Sequence, residues 1–217
     1  MTLVRSVYCQ QYTKGKRSQS ATVSLAASYA LRSCQKTWSL YQRTTWNATK
    51  KTIFSVKSRE TPVCPHCGTE LVYRDRIRRH YRKEGGDKVW FLLRRLKCPH
   101  CGSLHRELPD LLAPYKHYLS EIISGVLDGI VKPDDVDAED YPCEQTMERW
   151  RKWLEMNRSY IEGYLRSVGY RLLGFGEELL NSTVSLLEHM RSFLRSWLET
   201  MLRFVYNSGG FLEPFRQ

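Results

Sequence analysis

The sequence predicts an α+β fold that is mostly helical, with one small β-hairpin and several helices after it. Two observations predict the hairpin: the segment CPHCG occurs at 64–68 and again at 98–102, and two runs rich in β-forming residues lie between the copies. A third observation predicts the helices, because apolar residues recur every three or four positions from residue 115 onward. The chain accordingly divides into residues 1–60, 61–110, 111–156 and 157–217.

The two CPHCG copies, here called knuckles, have the residue types and spacing of a zinc ribbon, CxxC…CxxC. The four predicted metal ligands are Cys64, Cys67, Cys98 and Cys101. Gly68 and Gly102 end the knuckles, where a positive φ turns backbone N–H groups toward the sulfurs. Iron is the alternative, since rubredoxin holds one iron in similar knuckles, but rubredoxins are small and acidic whereas this segment is basic. We therefore predict Zn²⁺ as the cofactor.

Residues 69–79 and 88–97 are predicted strands, joined through a turn at 84–87 that contains a Gly-Gly pair. The residues between the knuckles include ten Lys or Arg and four interleaved aromatic residues. Arginine beside exposed aromatic rings is typical of a nucleic-acid-binding surface. The predicted nucleic-acid contacts of the hairpin are Arg74, Arg76, Arg78, Arg79, Arg94 and Arg95. Alternatively, part of this charge balances the −2 charge of zinc held by four thiolates.

Residues 111–156 are predicted to form a helix-turn-helix module. Apolar residues from Leu119 to Ile130 lie on one helical face, Pro133 begins a short second helix, and Pro142 begins a third that ends near Met156. Four polar residues of the third helix point away from its apolar face and are predicted to contact DNA: Gln145, Thr146, Arg149 and Lys152. The alternative is a plain helical bundle, because amphipathic helices with outward arginines are common.

Residues 157–217 are predicted to form a helical hairpin. Leu180, Leu187, Leu194 and Met201 recur at intervals of seven, and a second set of residues follows each of them by three positions. This stripe predicts packing on another helix layer or on a partner. We therefore predict that residues 177–206 contact a second copy of the chain or a recombinase.

The charge is unevenly distributed along the 217 residues, whose net charge is +11. Residues 1–60 contain eleven Lys or Arg, one acidic residue and no sustained apolar period, which predicts a basic disordered arm. Three interpretations of the arm stay open: it neutralises phosphates, it targets an organelle, or residues 1–52 are not genuine coding sequence. The sequence shows no secretory leader and no apolar run long enough for a membrane span, so we expect a cytoplasmic, nucleoid-associated bacterial protein.

Candidate catalytic groups are sparse. Six acidic residues between positions 128 and 140 could in principle bind Mg²⁺, but most belong to helix starts and a polar turn, whereas a nuclease or transposase core takes its carboxylates from separate strands. The sequence contains no phosphate-binding glycine loop and no Ser/His/Asp set. We therefore predict no catalytic residues and no enzymatic activity.

Several segments resemble a bacterial domain family of unknown function, whose members look like the zinc-ribbon and helix-turn-helix front end of insertion-sequence transposases. The resemblance covers about residues 53–153 and is carried by the two knuckles, by LHRELPD at 104–110, by PYKHY at 114–118 and by TMERWRKW at 146–153. Residues 1–52 do not match the usual start of that family. The resemblance implies the same four cysteine ligands, a DNA-reading helix containing Gln145, Thr146 and Arg149, and an association with mobile elements.

Together these observations predict a zinc-dependent protein that binds double-stranded DNA, as an accessory or regulatory component of a bacterial mobile element. In this hypothesis the hairpin contacts phosphates, the helix at 145–152 reads a groove, and the C-terminal helices contact a partner. The alternative is a protein-interaction adaptor that uses the zinc ribbon as a scaffold and does not bind nucleic acid.

Overall fold

The computed structural model describes residues 37–42, 44–48, 53–83, 86–134 and 142–215, which form a mixed sheet and a layer of helices. The sheet has six strands: β1 (Thr37–Tyr41), β2 (Thr44–Ala48), β3 (Phe54–Ser58), β4 (Val72–Arg82), β5 (Lys88–Lys97) and β6 (Leu104–Pro109). Five helices follow within the described residues: α1 (Ser120–Leu127), α2 (Glu144–Leu173), α3 (Glu177–Asn181), α4 (Leu186–Phe193) and α5 (Trp197–Asn207).

Strand β5 is the centre of the sheet, because it pairs along both of its edges. β4 is antiparallel to it over nearly its whole length, with Arg82 opposite Lys88 at the turn end. The other edge is shared: β3 runs parallel beside Phe91 and Leu92, and β6 runs antiparallel beside residues 95–97. β1 extends the sheet beyond β6 in parallel orientation, and β2 extends it beyond β3 in antiparallel orientation.

Alternation of side chains along the strands gives the sheet two different faces. One face, the core face, packs under the helices through residues that are at most 3% exposed: Trp38, Leu40, Val56, Phe91, Leu93 and Leu108. The opposite face, the open face, carries exposed cationic residues of β4. Because the described helices pack on the core face, the open face is left to carry polar and charged groups.

Helix α2 is the longest element, with 30 residues. It ends before Gly174, whose φ of 68° is the left-handed conformation that terminates many helices. Its buried residues recur at helical spacing and pack in the core with residues of α1, α4 and α5: Met147, Trp150, Trp153, Leu154, Ile161 and Leu165. Neither α2 nor any other helix in the described ranges combines the length and apolarity needed to cross a bilayer.

The expectation of a mostly helical fold is wrong, because the sheet has six strands rather than a single hairpin. Strands β1 to β3 lie within residues 37–58, which the sequence analysis placed in the basic arm. Their partners are remote in sequence: Trp38 pairs with Arg106, and Phe54 pairs with Phe91. Strands this short carry little local signal, since packing against remote partners decides whether they form. Residues 1–36 of the predicted arm lie outside the described residues.

The helix-turn-helix interpretation is also wrong. The helix that was expected to end near Met156 continues to Leu173 as α2 and packs with α1 and α4 in the core. Residues 157–173 contain no proline, and Ile161 and Leu165 continue the apolar stripe. Over its first turns, a packing helix has the same pattern as a DNA-reading helix. The short helix expected after Pro133 falls mainly on residues 135–140, which are not described.

The heptad stripe of residues 177–206 is divided among α3, α4 and α5 instead of following one long helix. Leu187, Met190, Trp197 and Met201 are at most 1% exposed and belong to the core of this chain. The contact of this segment with a partner stays a prediction, and its strongest apolar positions already pack within the chain.

Candidate metal centre and basic sheet face

The two knuckles meet beside the paired ends of β4 and β5. The first precedes β4 and the second follows β5, so the antiparallel pairing of these strands brings the knuckles together. The Sγ atoms of Cys64 and Cys101 are 3.6 Å apart, and those of Cys67 and Cys98 are 3.4 Å apart. All four sulfurs lie within 4.8 Å of one another. Since thiolates bound tetrahedrally to one zinc ion at about 2.3 Å are about 3.8 Å apart, the cluster can hold a metal ion.

The backbone of each knuckle turns in the same way. Gly68 and Gly102 have φ values of 71° and 73°, which a residue with a Cβ rarely adopts. The N–H of Gly68 donates to the carbonyl of Cys64 at 2.8 Å, and the N–H of Gly102 donates to that of Cys98 at 3.0 Å. The described cysteines are free thiols. The two glycines therefore have the turn-forming role that the sequence predicted.

Cys64 and Cys67 differ in how readily their thiols ionise. Burial raises the pKa of the Cys64 thiol to about 12. The hydroxyl of Thr69, 3.4 Å from the Cys67 sulfur, lowers the pKa of Cys67 to about 6. Cys67 is thus a thiolate near neutral pH, whereas Cys64 needs a neighbouring positive charge, which a bound metal ion supplies.

His105 of β6 lies next to the metal cluster. It is fully buried, with Nε2 3.6 Å from the Cys64 sulfur and Nδ1 3.4 Å from the hydroxyl of Ser39. Burial, with a smaller contribution from His66, lowers the pKa of His105 to about 4, so the ring is neutral and has one N–H to donate. Such a residue orients a ligand and does not replace it.

The arginines of β4 alternate between the two faces of the sheet. Arg74, Arg76 and Arg78 are exposed. Arg76 and Arg78 lie on the open face, two residues or about 6.8 Å apart, and Arg74 lies where the register between β4 and β5 shifts. Arg79, which was predicted to contact nucleic acid, points to the core face and is 8% exposed. Its guanidinium donates to the carbonyl of Ala113 at 2.8 Å and to that of Lys116. Adjacent residues of a strand cannot share a face, and this signal was available in the sequence.

Arg94 and Arg95 are held in ion pairs. Arg94 donates from Nε and Nη2 to both carboxylate oxygens of Glu107, which is fully buried. Arg95 makes the same two-point contact with Asp75. Sequence reasoning missed these pairs, because Glu107 comes opposite Arg94 only through the register of β5 and β6.

Strand β5 adds an aromatic ring to the open face. The Cζ atom of Arg78 lies 4.2 Å from the centre of the Trp90 ring, a cation–π contact. On the same face the His80 ring is 4.7 Å from Trp90 and stacks on His117 at 4.5 Å, with 10° between the two planes. We call this surface the basic face and define it by Arg74, Arg76, Arg78 and Trp90.

The predicted DNA contacts at the start of α2 belong to a packed helix. Gln145 and Lys152 are exposed, whereas Thr146 and Arg149 are half-buried. The hydroxyl of Thr146 lies 3.3 Å from the Cys143 sulfur, and Lys152 pairs with Glu148 at 2.6 Å. The helix that carries these four residues packs in the core through Met147, Trp150 and Trp153, and their contact with DNA stays a prediction.

These features define a class of protein: a mixed-sheet chain with a four-cysteine centre that can hold a metal ion, next to a basic sheet face. A family model described as a domain of unknown function, DUF6431, matches residues 64–150. The match begins at the first cysteine of the cluster and ends within α2. No curated protein and no solved structure matches the chain.

Proposed function

We propose that this chain is a zinc-dependent protein that binds double-stranded DNA through its basic face. The observation that carries the proposal is the exposure of Arg74, Arg76 and Arg78 at alternate positions of one strand, beside the Trp90 ring. In the described residues, Arg76 and Arg78 have no carboxylate within ion-pair distance, and the only such contact of Arg74 is with the neighbouring Asp75 at 3.8 Å. Cations that the protein does not neutralise are available for phosphates.

Four thiolates in tetrahedral arrangement select zinc or iron. In our hypothesis the metal is zinc, because the surrounding segment is basic. The metal would hold the end of the hairpin, since Val72 begins β4 just after the first knuckle and Lys97 ends β5 just before the second. Its role is structural: it fixes the strand whose arginines contact DNA.

The arginines of the basic face lie on a strand that pairs with only one other strand in the described sheet, since β4 is joined to β5 alone. Arg76 and Arg78 lie opposite Arg94 and Leu92 of β5, two residues or about 6.8 Å apart along β4. In this hypothesis they contact successive phosphates, which position the protein on the duplex.

The affinity for duplex DNA at several salt concentrations tests the proposal, measured by fluorescence anisotropy on the zinc-loaded chain. We expect binding that weakens as salt rises, and we expect Arg76→Ala and Arg78→Ala each to lower the slope of log K against log salt by about 1. Arg195→Ala, which removes an exposed arginine between α4 and α5, is the matched control and leaves the slope unchanged. Undetectable binding at low salt, or equal losses in all three variants, refutes the proposal.

The metal assignment has its own test, the metal content of purified variants. Cys98→Ser is expected to abolish zinc retention and to unfold the hairpin end, because the sulfur of Cys98 is buried in the cluster. Cys143→Ser, which changes an exposed cysteine at the start of α2, is expected to leave the zinc content unchanged. Equal loss of metal in both variants contradicts the assignment of ligands.

We further propose that the protein serves a bacterial mobile element. The support for this is the resemblance of its LHRELPD and PYKHY segments to a bacterial family that is associated with mobile elements. Preference for the terminal sequences of a neighbouring element over random duplex DNA in the same anisotropy assay supports it. Equal affinity for both contradicts it.

A protein-interaction adaptor is the second candidate, and one observation favours it. Val63, Val72 and Tyr73, at the knuckle end of the hairpin, are each more than half exposed, which is the mark of a surface that another protein covers. Combined Arg76→Ala and Arg78→Ala changes separate the two functions, because an adaptor keeps its partner and a DNA-binding protein loses affinity.

A further inference from the structure

Three cations lie close together between the sheet and the 113–116 segment. The guanidinium groups of Arg79 and Arg106 each lie 4.8 Å from the centre of the Trp38 ring. The Lys116 ammonium lies 3.5 Å from the centre of the Trp153 ring. Arg79 connects the two contacts, since it donates to the carbonyl of Lys116. Arg79 is buried, and Arg106 and Lys116 are half-buried by accessible surface. We call these three residues the cation cluster.

No acidic partner accompanies this cluster in the part of the chain that the structure describes. The ion pairs among those residues, all within 4.0 Å, include none with a member of the cluster. Among the described residues, the hydrogen-bond partners of the Arg79 guanidinium are the neutral carbonyl oxygens of Ala113 and Lys116. Arg94 and Arg95, on the neighbouring strand, each have a carboxylate. A buried cation without a counter-charge is costly.

Two hydrogen-bond donors at the cluster, one from Arg106 and one from the adjacent Trp38, also lack an acceptor among the described residues. Trp38 Nε1 and Arg106 Nε are buried and have no hydrogen-bond partner among the described residues. Trp38 is 3% exposed. Buried donors in native proteins are nearly always satisfied, so each such exception calls for an explanation. Both orphaned groups here are donors, and a single acceptor-rich group can satisfy both.

The lowered pKa values of two residues in the cluster also favour a bound anion. Burial, followed by repulsion from Arg106, lowers the pKa of Arg79 to about 10. Burial and then repulsion from Arg79 lower the pKa of Lys116 to about 7. Folding therefore destabilises the protonated forms of Arg79 and Lys116, and a bound anion would stabilise them.

Tyr115 gives the cluster a connection to solvent. Its ring meets Trp38 edge-on at 5.6 Å, and its side chain is 40% exposed. It is the only described non-glycine residue with a positive φ, 62°. Such a conformation persists only where the surrounding structure imposes it, and it is frequent at ligand sites.

We propose that Arg79, Arg106 and the Trp38 indole N–H bind a small oxyanion of the phosphate type, with Lys116 supplying a third positive charge. A tetrahedral anion with several acceptor oxygens suits donors that come from three elements, β1, β4 and β6. The site lies on the core face, so it is separate from the basic face and does not depend on the proposed binding of DNA.

Titration of the full-length, metal-loaded chain with inorganic phosphate tests the proposal, with chloride and acetate at matched ionic strength as comparisons. The readout is the indole N–H signal of Trp38 in a ¹H–¹⁵N spectrum, assigned with Trp38→Phe. We expect a saturable shift of this signal with phosphate and a rise in the melting temperature beyond that given by chloride. An unchanged Trp38 signal, or equal effects of all three anions, overturns the proposal.

Two variants separate an anion site from a merely structural cluster. Arg106→Gln and Lys116→Gln are expected to weaken phosphate binding about tenfold or more, while the phosphate-free chain becomes no less stable, because a repelling charge is removed. Arg195→Gln, which changes an exposed arginine between α4 and α5, is the matched control and keeps the full response. Retention of phosphate binding in both cluster variants, or loss of it in Arg195→Gln, overturns the assignment.

Discussion

Replacing Arg94 by alanine should destabilise the protein strongly, although the sequence suggests a surface residue. Arg94 is the two-point partner of Glu107, which is fully buried and also accepts the backbone N–H of Ser58 at 2.5 Å. Without the guanidinium, the buried Glu107 carboxylate keeps a single hydrogen-bond donor among the described residues, the N–H of Ser58. Breaking a buried ion pair by removing one partner costs about 3–5 kcal/mol. That is a large share of the roughly 5–15 kcal/mol by which a folded domain is stable.

Arg76→Ala is the matched control for this prediction. Arg76 lies directly opposite Arg94 in the β4–β5 pair, but it is exposed, so its removal should change the free energy of unfolding by about 0.5 kcal/mol or less. Urea unfolding of the metal-loaded chain, followed by circular dichroism, measures both variants. The double change Arg94→Leu with Glu107→Leu should recover most of the loss, because an apolar pair leaves no buried charge.

Unfolding of Arg94→Ala at the same urea concentration as Arg76→Ala, with an unchanged slope, contradicts this prediction. The same pair of variants also bears on DNA binding. Arg76→Ala should lower affinity without a loss of stability, whereas the effect of Arg94→Ala on affinity should follow its effect on folding.

Three further changes test other parts of the structure. Lys116 has a pKa of about 7 in the folded chain and an ordinary value of 10.5 when unfolded. Because the unfolded state binds more protons between these two values, the free energy of unfolding should rise with pH from about 7 to 10.5. Lys116→Met should flatten that rise, measured by unfolding curves at several pH values. Asn207 accepts from the N–H and donates to the carbonyl of Leu40, both at 2.8 Å, so Asn207→Ala should cost about 1–3 kcal/mol and speed amide exchange at Leu40. Gly174→Ala should cost about 1 kcal/mol, because φ is +68° there; an unchanged melting temperature contradicts this.

The hairpin and the grouping of the cysteines could be predicted, because both depend on local chemistry. Two CxxCG segments at the ends of paired strands must come together when the hairpin closes, and Gly68 and Gly102 supply the turns. The predicted second strand, 88–97, coincides with β5, and the first overlaps β4 from Val72. No family knowledge is needed for this part of the fold.

The roles of the arginines were only partly predictable. Alternation along β4 could have told Arg78 from Arg79, since neighbouring strand residues point to opposite faces. The ion pair between Arg94 and Glu107 could not be foreseen, because it depends on the register of β6 against β5. Strands β1 to β3 were missed for a similar reason: their stability comes from remote partners such as Phe91, and their own residues carry little period.

The central position of β5 bears on how this chain can be divided. Cutting out residues 64–150, the segment that the family model matches, would remove β3 from one part of β5 and β1 from β6. Phe91 and Leu93 would then lose Leu40, Val56 and the α4 and α5 residues that share their core. Such a fragment would retain every cysteine of the metal cluster yet expose an apolar sheet surface. The cooperative folding unit of this chain is therefore larger than the segment that the family model matches.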